Sequence, residues 1–299
     1  MGEKTALRPD IAIDRALTAF AWKILEEARA PLREPTTPDT VIVHDVRKAL
    51  KRWRALLRLI GPFLGKEEGG QLRIKARDLA RGLASARDAR SAVDALGDIG
   101  EEYHNLSPRT LATVRNRLDQ LRIVAETAIL TDTMRAHVSA ELAEISEAIA
   151  RWSLAKIEFA DIADGLTATY RQAYRMLPEV WASANTDELH ELRKRVVEHR
   201  YQMELVEPLW PRLGKLWVSE AQRLRDRLGR HHDLAVLSHL IDTQDSLAAW
   251  RTRFAPIIRE RQSDHARTAA RLAGRLFSEK PSAFRRRLIR LWNNRAGLD

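Results

Sequence analysis

The segment His44-Asp-Val-Arg-Lys-Ala-Leu-Lys-Arg-Trp-Arg54 returns, altered, as His190-Glu-Leu-Arg-Lys-Arg-Val-Val-Glu-His-Arg200. A second pair follows at nearly the same offset: Leu79-Ala-Arg-Gly-Leu83 with Asp88, and Leu224-Arg-Asp-Arg-Leu228 with Asp233. The stretches ahead of each copy also agree, Leu17-Thr-Ala against Leu166-Thr-Ala. Several matches in one order at near-constant spacing predict an internal duplication, with residues 1–150 and 151–299 as repeats. The repeats are expected to form a single domain over residues 1–299 rather than two independently working ones.

The first copy also sets the secondary structure. Val46, Leu50, Trp53, Leu57 and Ile60 recur at spacings of four, three, four and three, the period of a helix with one face in a core. Leu192, Val196, His199, Met203 and Val206 form the matching face of the second copy. Only 13 Gly and 11 Pro occur in 299 residues, and Ala, Leu, Arg and Glu, all strong helix formers, dominate. No strand-like alternation stands out, so the chain is read as all-α. Predicted helices run near 10–29, 40–61, 68–85, 88–103, 108–130 and 132–159, then 161–178, 186–207, 211–229, 233–242, 245–277 and 281–295. Asp10, Asp39, Ser107, Asp132, Asp187 and Ser282 are the expected caps.

Charge narrows the partner. Lys and Arg number 51 against 41 Asp and Glu, a net +10, which points to nucleic acid, an anionic membrane surface or a phosphate polymer. Most of the cations are Arg, whose planar fork grips phosphate oxygens in pairs. There is no cysteine, which excludes disulfides, thiolate metal sites and a cysteine nucleophile. The N-terminus carries no apolar signal core, and no apolar stretch is long enough to span a bilayer. A cytoplasmic protein without membrane partners is expected.

One position beyond the apolar stripe of 40–61 lie Arg47, Lys51, Arg54 and Arg58, with His44 a turn earlier and Lys48 and Arg52 widening the stripe. Solvated faces usually mix signs and gain from i,i+4 ion pairs; a face of cations alone suits an anion, or acids from a neighbouring helix. The second copy is weaker: Val197 interrupts His190, Arg193 and Arg200, and Glu204 can pair with Arg200. Its grip rests on His190, Arg193, Lys194 and Arg200. The next helix of each half adds Arg73, Arg77 and Arg81, and Arg223, Arg227 and Arg230. If these helices pack antiparallel to the motif helices, the basic sets converge on one groove.

The doubled His-x-x-Arg-Lys…Arg pattern resembles the CHAD family, the conserved-histidine α-helical domain. Leu189-His190-Glu-Leu-Arg193-Lys194…Arg200-Tyr201-Gln-Met-Glu204 and Leu228-Gly229-Arg230-His-His-Asp233 resemble its diagnostic segments, and nearly the whole chain is covered. The resemblance implies two pseudo-symmetric antiparallel helical bundles and binding of inorganic polyphosphate, often at polyphosphate granules with other granule proteins. Carried over, the groove residues are His44, Arg47, Lys48, Arg54, His190, Arg193, Lys194 and Arg200. The sequence departs from a fully basic pattern at Val197 and Glu198. Nothing resembles the triphosphate-tunnel domain fused to many relatives, so no triphosphatase activity carries over.

Other readings are weaker. His44-Asp45 and His232-Asp233 spell the dipeptide of HD-type phosphohydrolases, but Asp233 reads better as a helix cap matched by Asp88. No phosphate loop, nucleophile elbow or paired-carboxylate motif stands out, so no enzyme, metal or cofactor is expected. A nucleic-acid groove and a scaffold whose charges are satisfied internally remain as alternatives. Whether His44 and His190 contact ligand or hydrogen-bond at the helix start stays open.

Overall fold

The computed structural model describes residues 6–7, 11–83, 87–103, 106–127 and 130–294. Among them there are eleven α-helices and no strand. The helices are α1 (Ile13–Arg33), α2 (Asp39–Ile60), α3 (Lys66–Gly82), α4 (Arg87–Glu102), α5 (Pro108–Thr127) and α6 (Asp132–Arg151). The second half continues with α7 (Phe159–Arg175), α8 (Thr186–Val206), α9 (Pro211–Thr243), α10 (Arg251–Leu276) and α11 (Pro281–Asn293). None of them is long and apolar enough to cross a membrane.

Local chemistry sets several starts. Asn185 and Glu188 close a reciprocal capping box on α8, and Glu158 and Asp161 do the same on α7. The Thr131 hydroxyl accepts from the Met134 amide at 3.2 Å, and Ser107 accepts from Thr110 at 3.2 Å. Of the expected caps among the described residues, only Ser107 fills that role. Asp39 and Asp132 stand at the first helical position, and Asp187 and Ser282 at the second. There Asp39, Asp132 and Asp187 still favour the helix dipole. Asp10 lies outside the described residues.

Three differences from the sequence reading go beyond a shift of a few residues at a helix end. The predicted helices 211–229 and 233–242 are one unbroken α9, so Asp233 lies mid-helix and caps nothing; Asp88, by contrast, does lie in a first turn. α6 stops at Arg151, and residues 152–158 turn so that Leu154 and Ile157 are buried and Trp152 stacks on Trp53 at 5.5 Å. The stretch before α10 is a short 3₁₀ turn, Asp245–Trp250.

The helix contacts correspond only in part between the two halves, since one unbroken α9 follows α8 and α4 packs on α9 across them. α1 lies against α2 and α6, and α7 against α8 and α11; α2 folds back on α3, and α8 on α9. α4 packs on α5, and α9 on α10. The apolar core divides along a different line. One cluster unites α1, α2, α3, α6, α7, α8, α11, the start of α9 and the end of α10. A smaller one joins α4, α5, the later part of α9 and the start of α10. The predicted stripe, Val46, Leu50, Trp53, Leu57 and Ile60, is buried throughout. α7 passes close to α2 at Gly165, where a Cβ would meet Leu59 Cδ2 at 2.9 Å.

Candidate polyanion interface

α2 and α3 are joined by the turn Gly61–Phe63 and run antiparallel, because Arg47 near the start of α2 donates to the Leu83 carbonyl at the end of α3. That guanidinium satisfies a terminal carbonyl and sits at the negative end of the helix dipole. Along the outside of the pair, His44, Lys48, Arg54 and Arg73 are exposed. None of these four makes a hydrogen bond or ion pair among the described residues. Lys51 is half-buried beside them. Arg77 lies 2.9 Å from Asp78 and Arg81 3.7 Å from the same carboxylate, all three solvated, so these pairs are weak. Lys75 reaches across to Glu144 on α6. The antiparallel α2–α3 packing therefore places His44, Lys48, Arg54 and Arg73 on one hairpin with Arg77 and Arg81.

The remaining cations of α2 turn inward, toward α8. Gln202 of α8 donates to the Ala55 carbonyl at 3.1 Å, Arg58 pairs with Glu198 at 3.0 Å, and Arg52 approaches Glu204 at 3.7 Å. α2 positions rise as α8 positions fall, so the two motif helices cross antiparallel. In the alignment of the two segments Arg52 matches Glu198, and the next turn matches Arg58 with Glu204. The antiparallel crossing thus mates Arg52 with Glu204 and Arg58 with Glu198. Arg52 is buried, also pairs with Glu27, and covers the Phe20 ring at 5.3 Å. The departure from a basic pattern at Glu198 is explained: it joins the helices.

The α8–α9 pair carries the same residue types in a different state. Lys194 is held by Glu191, Arg200 by Glu204 at 2.9 Å, Arg223 by Glu220 at 2.6 Å, and Arg225 by Asp226 at 2.7 Å. Arg200 also covers Tyr201, 4.8 Å from its ring centre. Arg193 lies on α9 at Gly229, where a Cβ would stand 3.2 Å from its Nε. One turn away, the His190 and His232 rings stack at 4.1 Å. His44, the matching residue, is exposed instead. His199 is fully buried and its Nε2 accepts from Trp217 Nε1 at 2.8 Å. Burial holds its pKa down at about 3. Burial, with His265 and His232 nearby, takes His231 down to about 4. Both imidazoles are neutral at pH 7.

Arg227 and Arg230 point into a buried network centred on Asp98 of α4. Asp98 accepts from Arg261 at 2.8 and 2.9 Å, from His265 Nε2 at 2.8 Å and from Arg230 at 3.1 Å. Arg227 approaches His265 Nδ1 at 3.4 Å. Burial alone would raise the Asp98 carboxyl, but the hydrogen bonds from His265 and Arg261 outweigh it and hold the group well below the carboxylate range. Neither Asp98, Arg261 nor His265 was singled out from the sequence, because nothing but tertiary packing joins residues 98 and 261.

Among the described residues no group of three or more His, Asp or Glu is placed to hold a metal ion. The CHAD domain family model matches residues 16–242, from α1 to the end of α9, and the chain belongs to that family. The crystal structure of the CHAD domain from the plant Ricinus communis is similar in fold, with a TM-score of 0.59 and 19% identity over 96% of this chain and 95% of that one. No curated protein matches the chain.

Proposed function

We propose that the chain binds inorganic polyphosphate along the α2–α3 hairpin. The observation that carries the reading is the set Lys48, Arg54 and Arg73, exposed on one hairpin with no ion pair among the described residues, with exposed His44 on the same hairpin. Like charges along a helix repel by a few tenths of a kcal/mol per pair, roughly, and a polyanion relieves that repulsion. Polyphosphate is flexible and carries about one charge per phosphate, so binding would proceed by counterion release and weaken steeply with salt. No base-reading geometry is needed. We assign no reaction to the protein, and place it in the cytoplasm, at polyphosphate granules and their associated proteins, on the family resemblance alone.

Nucleic acid is the second reading, and the placement of the aromatics on the two motif helices weighs against it. Single strands are held by stacking bases on exposed rings, whereas Trp53 is buried against Trp152 and Tyr201 lies under Arg200. The test is calorimetry with long-chain polyphosphate at physiological salt, with single-stranded RNA of equal charge as competitor. The reading expects binding that RNA does not displace, and its loss in folded Lys48→Ala/Arg54→Ala/Arg73→Ala. Equal displacement by RNA would reduce the site to a general polyanion groove, and absence of binding would leave the scaffold alternative.

A further inference from the structure

At the α2–α8 crossing two guanidiniums share one carboxylate. The Glu198 carboxylate accepts from Arg58 at 3.0 and 3.2 Å and from Arg195 at 2.5 Å. The second arm of Arg58 donates to Gln172 Oε1 of α7 at 2.8 Å. Arg73 of α3 lies close enough to act electrostatically on Arg58 and makes no ion pair among the described residues. The Glu198 side chain is 13% exposed and that of Arg58 27%. Arg73 and Gln172 are exposed, so the cluster is open on one side.

The charge there is under-balanced. Two guanidiniums share one carboxylate in a partly desolvated place, where charge is compensated less by water, and exposed Arg73 adds positive charge from α3. The effect registers on Arg58. Burial pulls its pKa down, Glu198 opposes that, and Arg195 and Arg73 pull it further down, leaving it below the usual arginine value despite a bonded carboxylate. A second anion would be stabilised at that spot, and the first is covalently part of the protein.

We infer that Arg58, Arg73 and Arg195 form a phosphate pocket at the end of the α2–α3 face, and that Glu198 occupies it from within and limits how tightly a phosphate chain is held. This rests on the polyphosphate reading above and adds to it a residue, Arg195, outside the motif positions, together with a built-in competitor. A phosphate group entering from the solvent side would meet Arg73 first. It would then share Arg58 and Arg195 with the carboxylate. Glu198 serves two ends at once: it joins α2 to α8, and it tempers the affinity of the adjoining face.

The experiment compares wild type with Glu198→Gln, using long-chain polyphosphate and tripolyphosphate as probes over a salt series. The amide still accepts from Arg58 but carries no charge, and thermal melting followed by circular dichroism checks that it folds. Glu198→Gln is expected to bind long chains about tenfold tighter, with a salt slope steeper by about one counterion or more. Adding Arg195→Ala should abolish the gain. Asp245→Asn, the same charge change on the smaller core, should show none. No gain in folded Glu198→Gln, or an equal gain in Asp245→Asn, would overturn the pocket while leaving the polyphosphate reading intact. If wild type binds neither probe, the polyphosphate reading fails; the pocket then stands only if Glu198→Gln takes up tripolyphosphate.

Discussion

The α2–α3 and α8–α9 hairpins carry the same kinds of residue in opposite conditions. On the first, His44, Lys48, Arg54 and Arg73 face solvent and make no ion pair among the described residues. On the second, Lys194, Arg200, Arg223 and Arg225 each have a carboxylate within their own helix, and Arg230 reaches a buried one on α4. A cation count would rank the two hairpins alike. What separates them is where the acids fall: α8 and α9 carry Glu191, Glu204, Glu220 and Asp226 a turn or less from an arginine or lysine. The first hairpin is suited to an external anion. On the second, most of these cations are paired with the protein's own carboxylates.

The sharpest way to test that division is to remove Asp98. Asp98→Asn leaves buried Arg261 with a neutral partner in place of a charged one, and Arg230 loses its acid. Breaking one side of a buried ion pair costs roughly 3–5 kcal/mol, so urea unfolding should show a loss of about that size. The α2–α3 face should still bind polyphosphate while folded. A loss of only a few tenths of a kcal/mol would mean that the network is solvated in practice and that Arg230 is available after all.

Acid should separate the hairpins next. His199 and His231 sit on α8 and α9 with pKa values near 3 and 4 against 6.5 when unfolded. The unfolded chain therefore takes up protons first as pH falls. Stability from these groups is fully present above pH 6.5 and drains away below it, by about 1.4 kcal/mol per pH unit for each histidine. Asp98 behaves differently: its depressed carboxyl contributes above its unfolded value of 3.8 and is lost only below that. Unfolding free energies measured between pH 7 and 4.5 should fall with that slope, and His199→Leu should flatten it. A flat profile in wild type would show that the two rings are reached by water.

Binding comes third in size. Lys48→Ala/Arg54→Ala/Arg73→Ala should weaken polyphosphate binding by about 100-fold at low salt and reduce the salt slope by about three counterions. Its counterpart on the other hairpin, Lys194→Ala/Arg200→Ala/Arg223→Ala, removes cations that are already paired. It should change affinity by less than about threefold, because exposed pairs of this kind are worth little. Equal losses in the two triple variants would erase the distinction between the hairpins.

How much of this could be read beforehand varies by residue. The core face of α2 was fully legible, since a period of 3.6 is imposed by the backbone whatever surrounds it. The Arg200–Glu204 pair was legible too, because i,i+4 spacing is local. Arg58–Glu198 and Arg230–Asp98 were not, since each depends on a helix crossing that periodicity does not specify. The end of α6 was misplaced because Trp152, Leu154 and Ile157 are apolar enough to pass for more helix. Leu154 and Ile157 are buried instead on an irregular turn, with half-buried Trp152 stacked on Trp53. The unbroken α9 was misread at Gly229, where a residue that usually marks a stop stands for a different reason.

That reason gives the smallest and most local contrast. Glycine in a helix interior costs about 1 kcal/mol relative to alanine, so Gly→Ala is stabilising wherever the Cβ has room. At Gly70, in α3, nothing lies within 4 Å of the added atom, and Gly70→Ala should raise stability by about 0.5–1 kcal/mol. At Gly229, in α9, the Cβ would come 3.2 Å from Arg193 Nε and 3.4 Å from its terminal nitrogen. Arg193 must move by a few tenths of an ångström, which should offset most of the propensity gain and loosen the side chain that α8 lays on α9. Thermal melts of the two variants decide it. A rise for Gly70→Ala with little or no rise for Gly229→Ala would mean that the second glycine is kept for the arginine above it, whereas equal rises would show that Arg193 shifts at no cost.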